Sequence, residues 1–286
     1  IICVGNLMTG GTGKTPTAIA IGRYLNNKGF NIHFLSRGYG RRSSKSRRVD
    51  PSNHTSEIVG DEPLLLANTA PTWVSSNRRE IAELAIKAGA NILVMDDGFQ
   101  NPSIHKDLSI LVIDGEIGFG NNLVIPAGPL REKIVRGVSR ANAALILGKD
   151  LHELGKVFEQ TFTNNIQILR GHLEPDATAT DLVEKRVFAF AGIGRPKKFF
   201  DTLKNIGCVI TGTLEFDDHH TYTVDEIKNL VQKADEMNAT LITTSKDCCR
   251  IDRNLAPGII ELPISLHWEN QSILDKMLEP ILSTIE

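Results

Sequence analysis

Three glycines, a lysine and a threonine stand together near the start of the chain, as Gly10-Gly11-Thr12-Gly13-Lys14-Thr15. Glycine weakens strands and helices alike, so this cluster marks a loop whose backbone must come close to something. Ile1 to Val4, before it, reads as the end of a buried strand. Pro16 to Leu25, after it, reads as a helix with proline in its first turn and with Ile19, Ile21, Tyr24 and Leu25 on an apolar side. Strand, glycine loop, then lysine and threonine at a helix start is the arrangement that cradles phosphate. Lys14 would reach the β- and γ-phosphates and Thr15 would hold Mg²⁺. The full G-x-x-x-x-G-K-[ST] spacing asks for glycine at position 8, where this chain has Met8. The competing reading is a glycine-rich turn with an incidental lysine. The pattern implies a nucleoside triphosphate and does not distinguish kinase, GTPase and switch.

Other segments carry groups for the remaining chemistry. "NILVMDDGFQN" is an apolar strand ending in Asp96 and Asp97. Beside a phosphate loop such a carboxylate orients Mg²⁺ or its water; otherwise Asp-Asp-Gly is a turn. "VGDEP" offers Asp61 and Glu62 as a base and a metal ligand, or as acidic residues suited to a helix start. "EFDDHHTYT" places His219 and His220 after two aspartates, a candidate proton relay or a solvated loop. "IPAGPLREK" is a proline-bounded turn presenting Arg131, whose fork suits phosphate, or a plain surface loop.

Positioning these groups falls to alternating strands and helices. Ile32–Leu35, Ile92–Met95, Ser109–Ile113 and Ala143–Leu147 read as strands. Pro63–Asn68 and Arg78–Ala88 read as helices between them. That alternation predicts an α/β fold with a mainly parallel sheet covered on both faces. Near residue 184 the rhythm changes. Val187–Ala191, Val209–Phe216, Leu241–Thr244 and Ile259–Leu266 are strand candidates, with helices at Pro196–Ile206 and Val224–Met237. The predicted division is 1–183 for a nucleotide-binding domain, 184–267 for a smaller α/β lobe, and 268–286 for a helix packing back on the first domain. The adjacent Cys248 and Cys249 read as strand residues.

Composition narrows the class. A 286-residue chain with 41% hydrophobic and 23% charged residues is ordinary for a globular protein. A net charge of −2 argues against a general nucleic-acid binder. The four cysteines show no metal or C-x-x-C spacing, which fits reduced thiols in a cytosolic compartment. No apolar run reaches a membrane span. A basic loop with Arg37, Arg41, Arg42, Lys45, Arg47 and Arg48 is either solvated or faces anionic lipid headgroups.

Taken in order, "VGNLMTGGTGKTP", "SRGYGR", "GDEP", "DDGFQN", "IPAGPLRE", "DHHTYT" and "TTSKDCCR" resemble the tetraacyldisaccharide 4′-kinase family of lipid A biosynthesis across nearly the whole chain. The departures are modest: Lys133 stands where proline often follows "LRE", and "SKDCCR" is a loose version of an "EKD" segment. The resemblance implies a P-loop nucleoside triphosphate hydrolase-like fold. It also implies transfer of the γ-phosphoryl of ATP to the 4′-hydroxyl of a tetraacyl glucosamine disaccharide 1-phosphate. Lys14 with the backbone of Gly10, Gly11, Thr12 and Gly13 would hold phosphates. Thr15, Glu62 and Asp96 or Asp97 would organise Mg²⁺, and Arg131 would meet substrate. Asp61 would be the base, paired with His219, and closure of the two lobes would assemble the site.

The family further implies an apolar or amphipathic segment before the first strand, absent from this sequence. It points to a peripheral protein on the cytoplasmic face of a bacterial inner membrane, with a glycolipid substrate, contact with the membrane surface, no nucleic acid and no obligatory protein partner. The competing class is a P-loop nucleotide switch or metal-insertion chaperone, marked by Cys/His clusters that this sequence lacks. A non-catalytic nucleotide-binding module would leave Asp61 and His219 without a role.

Overall fold

The structure is a computed structural model and describes residues 1–162 and 166–285. In chain order the first strands are β1 (Ile2–Gly5), β2 (Ile32–Ser36), β3 (Arg47–Arg48), β4 (Thr72–Val74), β5 (Ile92–Asp96), β6 (Leu108–Asp114), β7 (Ala143–Leu147) and β8 (Gln167–Pro175). Then come β9 (Arg186–Ala191), β10 (Val209–Glu215), β11 (Thr240–Thr244), β12 (Ile260–Leu262) and β13 (Ile264–Trp268). The helices are α1 (Lys14–Asn27), α2 (Ser56–Val59), α3 (Asp61–Ala67), α4 (Arg78–Lys87), α5 (Ile134–Val138), α6 (Leu154–Thr161), α7 (Pro196–Ile206), α8 (Val224–Glu236), α9 (Ser245–Cys248) and α10 (Gln271–Leu282). Two compact units result: Ile1–Leu173 with Leu266–Glu286, and Glu174–Ser265.

The first unit is built on a sheet of order β13-β8-β7-β6-β1-β5-β2-β4-β3 among the described residues. From β8 through β4 every pairing is parallel, and β3 adds an antiparallel edge. Its central strands are buried along their whole length, as ICVG, ILVMD and AALIL predict for a sheet covered on both faces. Alternation divides the side chains between two cores. Ile2, Val4 and Val94 pack with Ala18, Ile21 and Leu25 of α1 and with Leu274 and Leu278 of α10. Cys3 and Met95 face the other way, toward Ile81 and Ala85 of α4 and Phe158 of α6. The mainly parallel α/β architecture read from the sequence is what the chain forms.

The second unit has a parallel sheet of order β10-β9-β11-β12. Phe199, Phe200 and Leu203 of α7 pack among one cluster, and Ile227, Leu230 and Ala234 of α8 among another. A capping box, Thr223 with Glu226, starts α8.

Two local expectations need correction. Ile259–Leu266 is not one strand. It breaks at Pro263, which has no N–H to give a ladder and whose carbonyl accepts the Asp176 N–H at 3.0 Å. The residues before it join the second unit's sheet and those after it join the first unit's. Cys248 lies in helix α9, not in a strand. The Thr244 hydroxyl accepts the Asp247 N–H at 3.2 Å and caps a helical turn there.

Candidate active site

The glycine loop runs from the carboxyl end of β1 to the start of α1. Gly13, at φ 88°, makes the turn into the helix, and its carbonyl accepts both the N–H and the hydroxyl of Thr17. Asn6 is buried and donates to Thr12 Oγ1 at 2.9 Å, fixing the loop from beneath. The Lys14 ammonium folds over the loop and donates to the Gly10 carbonyl at 3.3 Å. A Cβ added at Gly10 or Gly11 would meet nothing within 4 Å. These two glycines therefore face open space, and the protein's own packing does not require them there.

The carboxyl end of β5, the neighbour of β1, brings the acids to this loop. Thr15 Oγ1 donates to Asp96 Oδ2 at 2.9 Å. Asp96 Oδ1 is buried and has no hydrogen-bond partner. Burial first, then the charges of Asp97 and Glu62, push the Asp96 carboxyl up to about 7. Asp97 behaves oppositely. Burial alone would raise it, but Lys14, with Nζ 3.9 Å away, and the Arg131 guanidinium together hold it below the usual carboxylate range. Arg131 grips it as a fork, Nη1 to Oδ1 at 2.9 Å and Nη2 to Oδ2 at 3.2 Å. Two adjacent carboxylates thus have pKa values pushed apart by their surroundings, a pattern typical of functional sites.

Asp61 and Glu62 open α3. Asp61 is buried, and Glu62 is half-buried near enough to Asp96 to raise its pKa. Gly60 places them. At φ 94° a Cβ there would lie 2.9 Å from the Tyr39 carbonyl oxygen and 3.0 Å from Gly38 Cα. The "SRGYG" and "GDEP" segments therefore lock together through glycines.

Hydrogen bonds from Thr15 to Asp96 and from Arg131 to Asp97, with the ion pair of Lys14 and Asp97, gather these residues within the first unit, with Glu62 beside them. Arg131 spends its fork on Asp97. His219 lies in the second unit, in the left-handed region at φ 61°, with Nε2 3.9 Å from Asp218 Oδ1. Its neighbour His220 is engaged otherwise, stacked on Phe216 at 4.7 Å and bonded to Glu226 at 3.1 Å.

Sequence reasoning missed three supporting residues. Gln100 donates to the Asn6 carbonyl at 2.8 Å and to Glu132 at 3.2 Å, tying the "DDGFQN" turn to the glycine loop and to the "LRE" segment. Lys106 donates to the Phe99 and Asn101 carbonyls and closes the same turn. Arg78, at the start of α4, is almost wholly buried and donates to the Ser75 carbonyl. Burial, then Arg37, pull its guanidinium down to about 10, while Asp97 and Asp96 pull it up. A buried arginine electrostatically coupled to both acids is a candidate for charge on a phosphoryl group. The only hint in the sequence was an Arg-Arg pair at a helix start.

Among the described residues no group of three or more His, Cys, Asp or Glu side chains forms a metal cluster. Mg²⁺ does not need one. It keeps several waters and takes one or two carboxylates plus substrate phosphates. The orphaned Oδ1 of Asp96, a carboxylate whose Oδ2 meets the Thr15 hydroxyl, completes with that hydroxyl a hard oxygen donor set of that kind, so these residues fit the ion.

Comparison with known proteins gives the family. The family profile described as Tetraacyldisaccharide-1-P 4′-kinase matches residues 1–283. The tetraacyldisaccharide 4′-kinase of Rhodospirillum centenum is 48% identical over 284 residues, covering 99% of this chain and 83% of that protein. That of Paramagnetospirillum magneticum is 45% identical, with 98% and 86% covered. The solved structure of LpxK from Aquifex aeolicus, an "apo" form in complex with ATP, superposes with a TM-score of 0.74 at 26% identity. The superposition covers 98% of this chain and 87% of that one. With residues 1–283 matched by the family profile and relatives of 45–48% identity along the chain, it belongs to the tetraacyldisaccharide 4′-kinase family.

Proposed function

We propose that this kinase transfers the γ-phosphoryl of ATP to the 4′-hydroxyl of a tetraacyldisaccharide 1-phosphate. The observation that carries the reading is the convergence of Lys14 and Thr15 on the two unlike carboxylates Asp96 and Asp97. In the step, the sugar oxygen bonds to the γ-phosphorus as the bond from that phosphorus to the β,γ-bridging oxygen breaks, and ADP leaves. The hydroxyl proton passes to the Asp61 carboxylate, with His219 as its partner in accepting it. The loop from Gly10 to Gly13 and Lys14 hold the phosphates, since positioning and charge stabilisation dominate phosphoryl transfer. Asp97, held below the usual carboxylate range by Lys14 and by its arginine fork, keeps Lys14 directed toward the loop. Thr15 and Asp96, with Glu62 nearby, would hold Mg²⁺, which when bound neutralises charge on the phosphate oxygens.

The acceptor is a glycolipid, which motivates a peripheral site on the cytoplasmic face of an inner membrane. Among the described residues no helix is long and apolar enough to cross a membrane. No nucleic acid and no obligatory protein partner enter the reaction.

The test is transfer from labelled ATP to the disaccharide 1-phosphate, with product separated by thin-layer chromatography. Lys14→Ala should lose transfer by about 10²–10³-fold or more, the scale of removing one preorganised electrostatic contact. Asp61→Ala and His219→Ala should each depress kcat strongly. Their double variant should be far less impaired than the product of the two losses, because groups acting as a unit are not additive. Multiplying losses would end the base-pair reading and leave the kinase reading standing.

A further inference from the structure

The "TTSKDCCR" segment has no part in the reaction as drawn, yet it builds the most concentrated buried polar network of the second unit. Asp247 is fully buried. Its Oδ1 accepts from Tyr222 Oη at 2.8 Å, from the Gly192 N–H at 3.0 Å and from Arg250 Nη1 at 3.2 Å. Its Oδ2 accepts from Thr244 Oγ1 at 2.6 Å. The same Arg250 Nη1 donates to the Gly192 carbonyl at 2.9 Å, and that carbonyl also accepts the backbone N–H of His219 at 3.1 Å. Gly192 is therefore gripped at both its N–H and its carbonyl. A Cβ there would stand 3.0 Å from Tyr222 Oη and 3.1 Å from the Asp217 carbonyl.

A buried ion pair is a poor device for stability alone, because desolvating its charges offsets most of their attraction. In some proteins such groups instead fix one conformation. The conformation fixed here is an uncommon one, since His219 is a non-glycine residue in the left-handed region. A carbonyl oxygen offers two lone pairs, and Gly192 spends both on Arg250 and His219.

We propose that Asp247, Arg250 and Tyr222 are positioning residues for His219, acting through the Gly192 carbonyl. This rests on the reading of His219 as a participant in the transfer. Tyr222 is the residue to change first, because Tyr222→Phe removes one hydroxyl and keeps the ring among Phe190, Phe216 and His220.

The experiment measures kcat and KM for ATP in Tyr222→Phe, His219→Ala and the double variant, with Arg250→Lys as a second probe that keeps the charge and alters the fork. The expected result is a kcat about tenfold lower in Tyr222→Phe, the scale of one hydrogen bond to a charged group. KM for ATP should be unchanged, and there should be no further loss when the substitution is added to His219→Ala. Arg250→Lys should show the same dependence on His219. A purely structural role would instead give the same fractional loss with and without His219, and that result overturns the proposal. A normal kcat in His219→Ala would overturn the underlying reading of His219, and the proposal with it.

Discussion

Asp96 shows at the scale of one residue how function is set against stability. In the folded chain its carboxyl keeps a proton up to about pH 7, whereas the unfolded chain releases it near pH ~3.9. Between those values the folded state binds more protons, so stability falls as pH rises across the window. Asp96→Asn should therefore melt higher than the unsubstituted protein at pH 8 in chelator, by about 2–4 °C for each kcal/mol recovered. The gain should shrink toward pH 5, while transfer is lost. Calorimetry at several pH values checks the sign; a lower melting temperature for Asp96→Asn at pH 8 would contradict it. Gly11 gives the complementary case. It has no positive φ, and a Cβ there would touch nothing in the protein. Gly11→Ala should leave the melting temperature within about 1 °C and should weaken ATP binding measured by titration calorimetry. Unaltered ATP affinity would mean that the open face of the loop is not where phosphate lies.

The next scale is that of the segments that carry these residues. Gly60→Ala should cost about 1–3 kcal/mol for its left-handed backbone and should also reduce kcat, because relief of the contact with Tyr39 and Gly38 shifts Asp61. Gly29 is the control. Its φ of 89° is also positive, but a Cβ there meets nothing within 4 Å, so Gly29→Ala should lower stability and spare kcat. In the basic loop, Arg41 donates to the Ser44 and Lys45 carbonyls and Arg47 to the Ser43 hydroxyl. These two hold the loop's own shape. Arg42, Lys45 and Arg48 are exposed and are the ones to neutralise. The triple variant should bind anionic vesicles more weakly by up to ~1 kcal/mol per charge, measured by flotation, with detergent-dispersed acceptor turned over nearly as before. Equal flotation would make it a solvated loop. Segments with one strong local signal were legible in the sequence: the glycine loop, the apolar strands around it and the helix starting at Arg78. What stayed hidden depended on distant partners. Gln167–Pro175 carries a mixed pattern because one strand serves positions of differing burial. The pairing of Arg131 with Asp97, a partner 34 positions away, is of this kind.

Connectivity matters most at the scale of the whole chain. The first unit is discontinuous in sequence, and its α10 returns Leu274 and Leu278, both fully buried, to the core that also holds Ala18 and Leu25. Leu278→Ala should therefore destabilise the first unit by about 2–5 kcal/mol, read from urea unfolding of that unit, although the residue lies far from the glycine loop in sequence. An effect below 1 kcal/mol would show that the helix contributes little to that core.

The break at Pro263 has a consequence for biosynthesis. Because β12 ends in one sheet and β13 begins in the other, residues made after Ser265 return to the unit that holds β1. On the ribosome the second unit emerges whole while the first still lacks β13 beside β8 and the leucines of α10. Until they arrive, the nascent chain carries an unpaired strand edge and an uncovered apolar face, the features that invite wrong partners. The hazardous interval in making this kinase is thus the one between completion of the second unit and the arrival of β13 and α10.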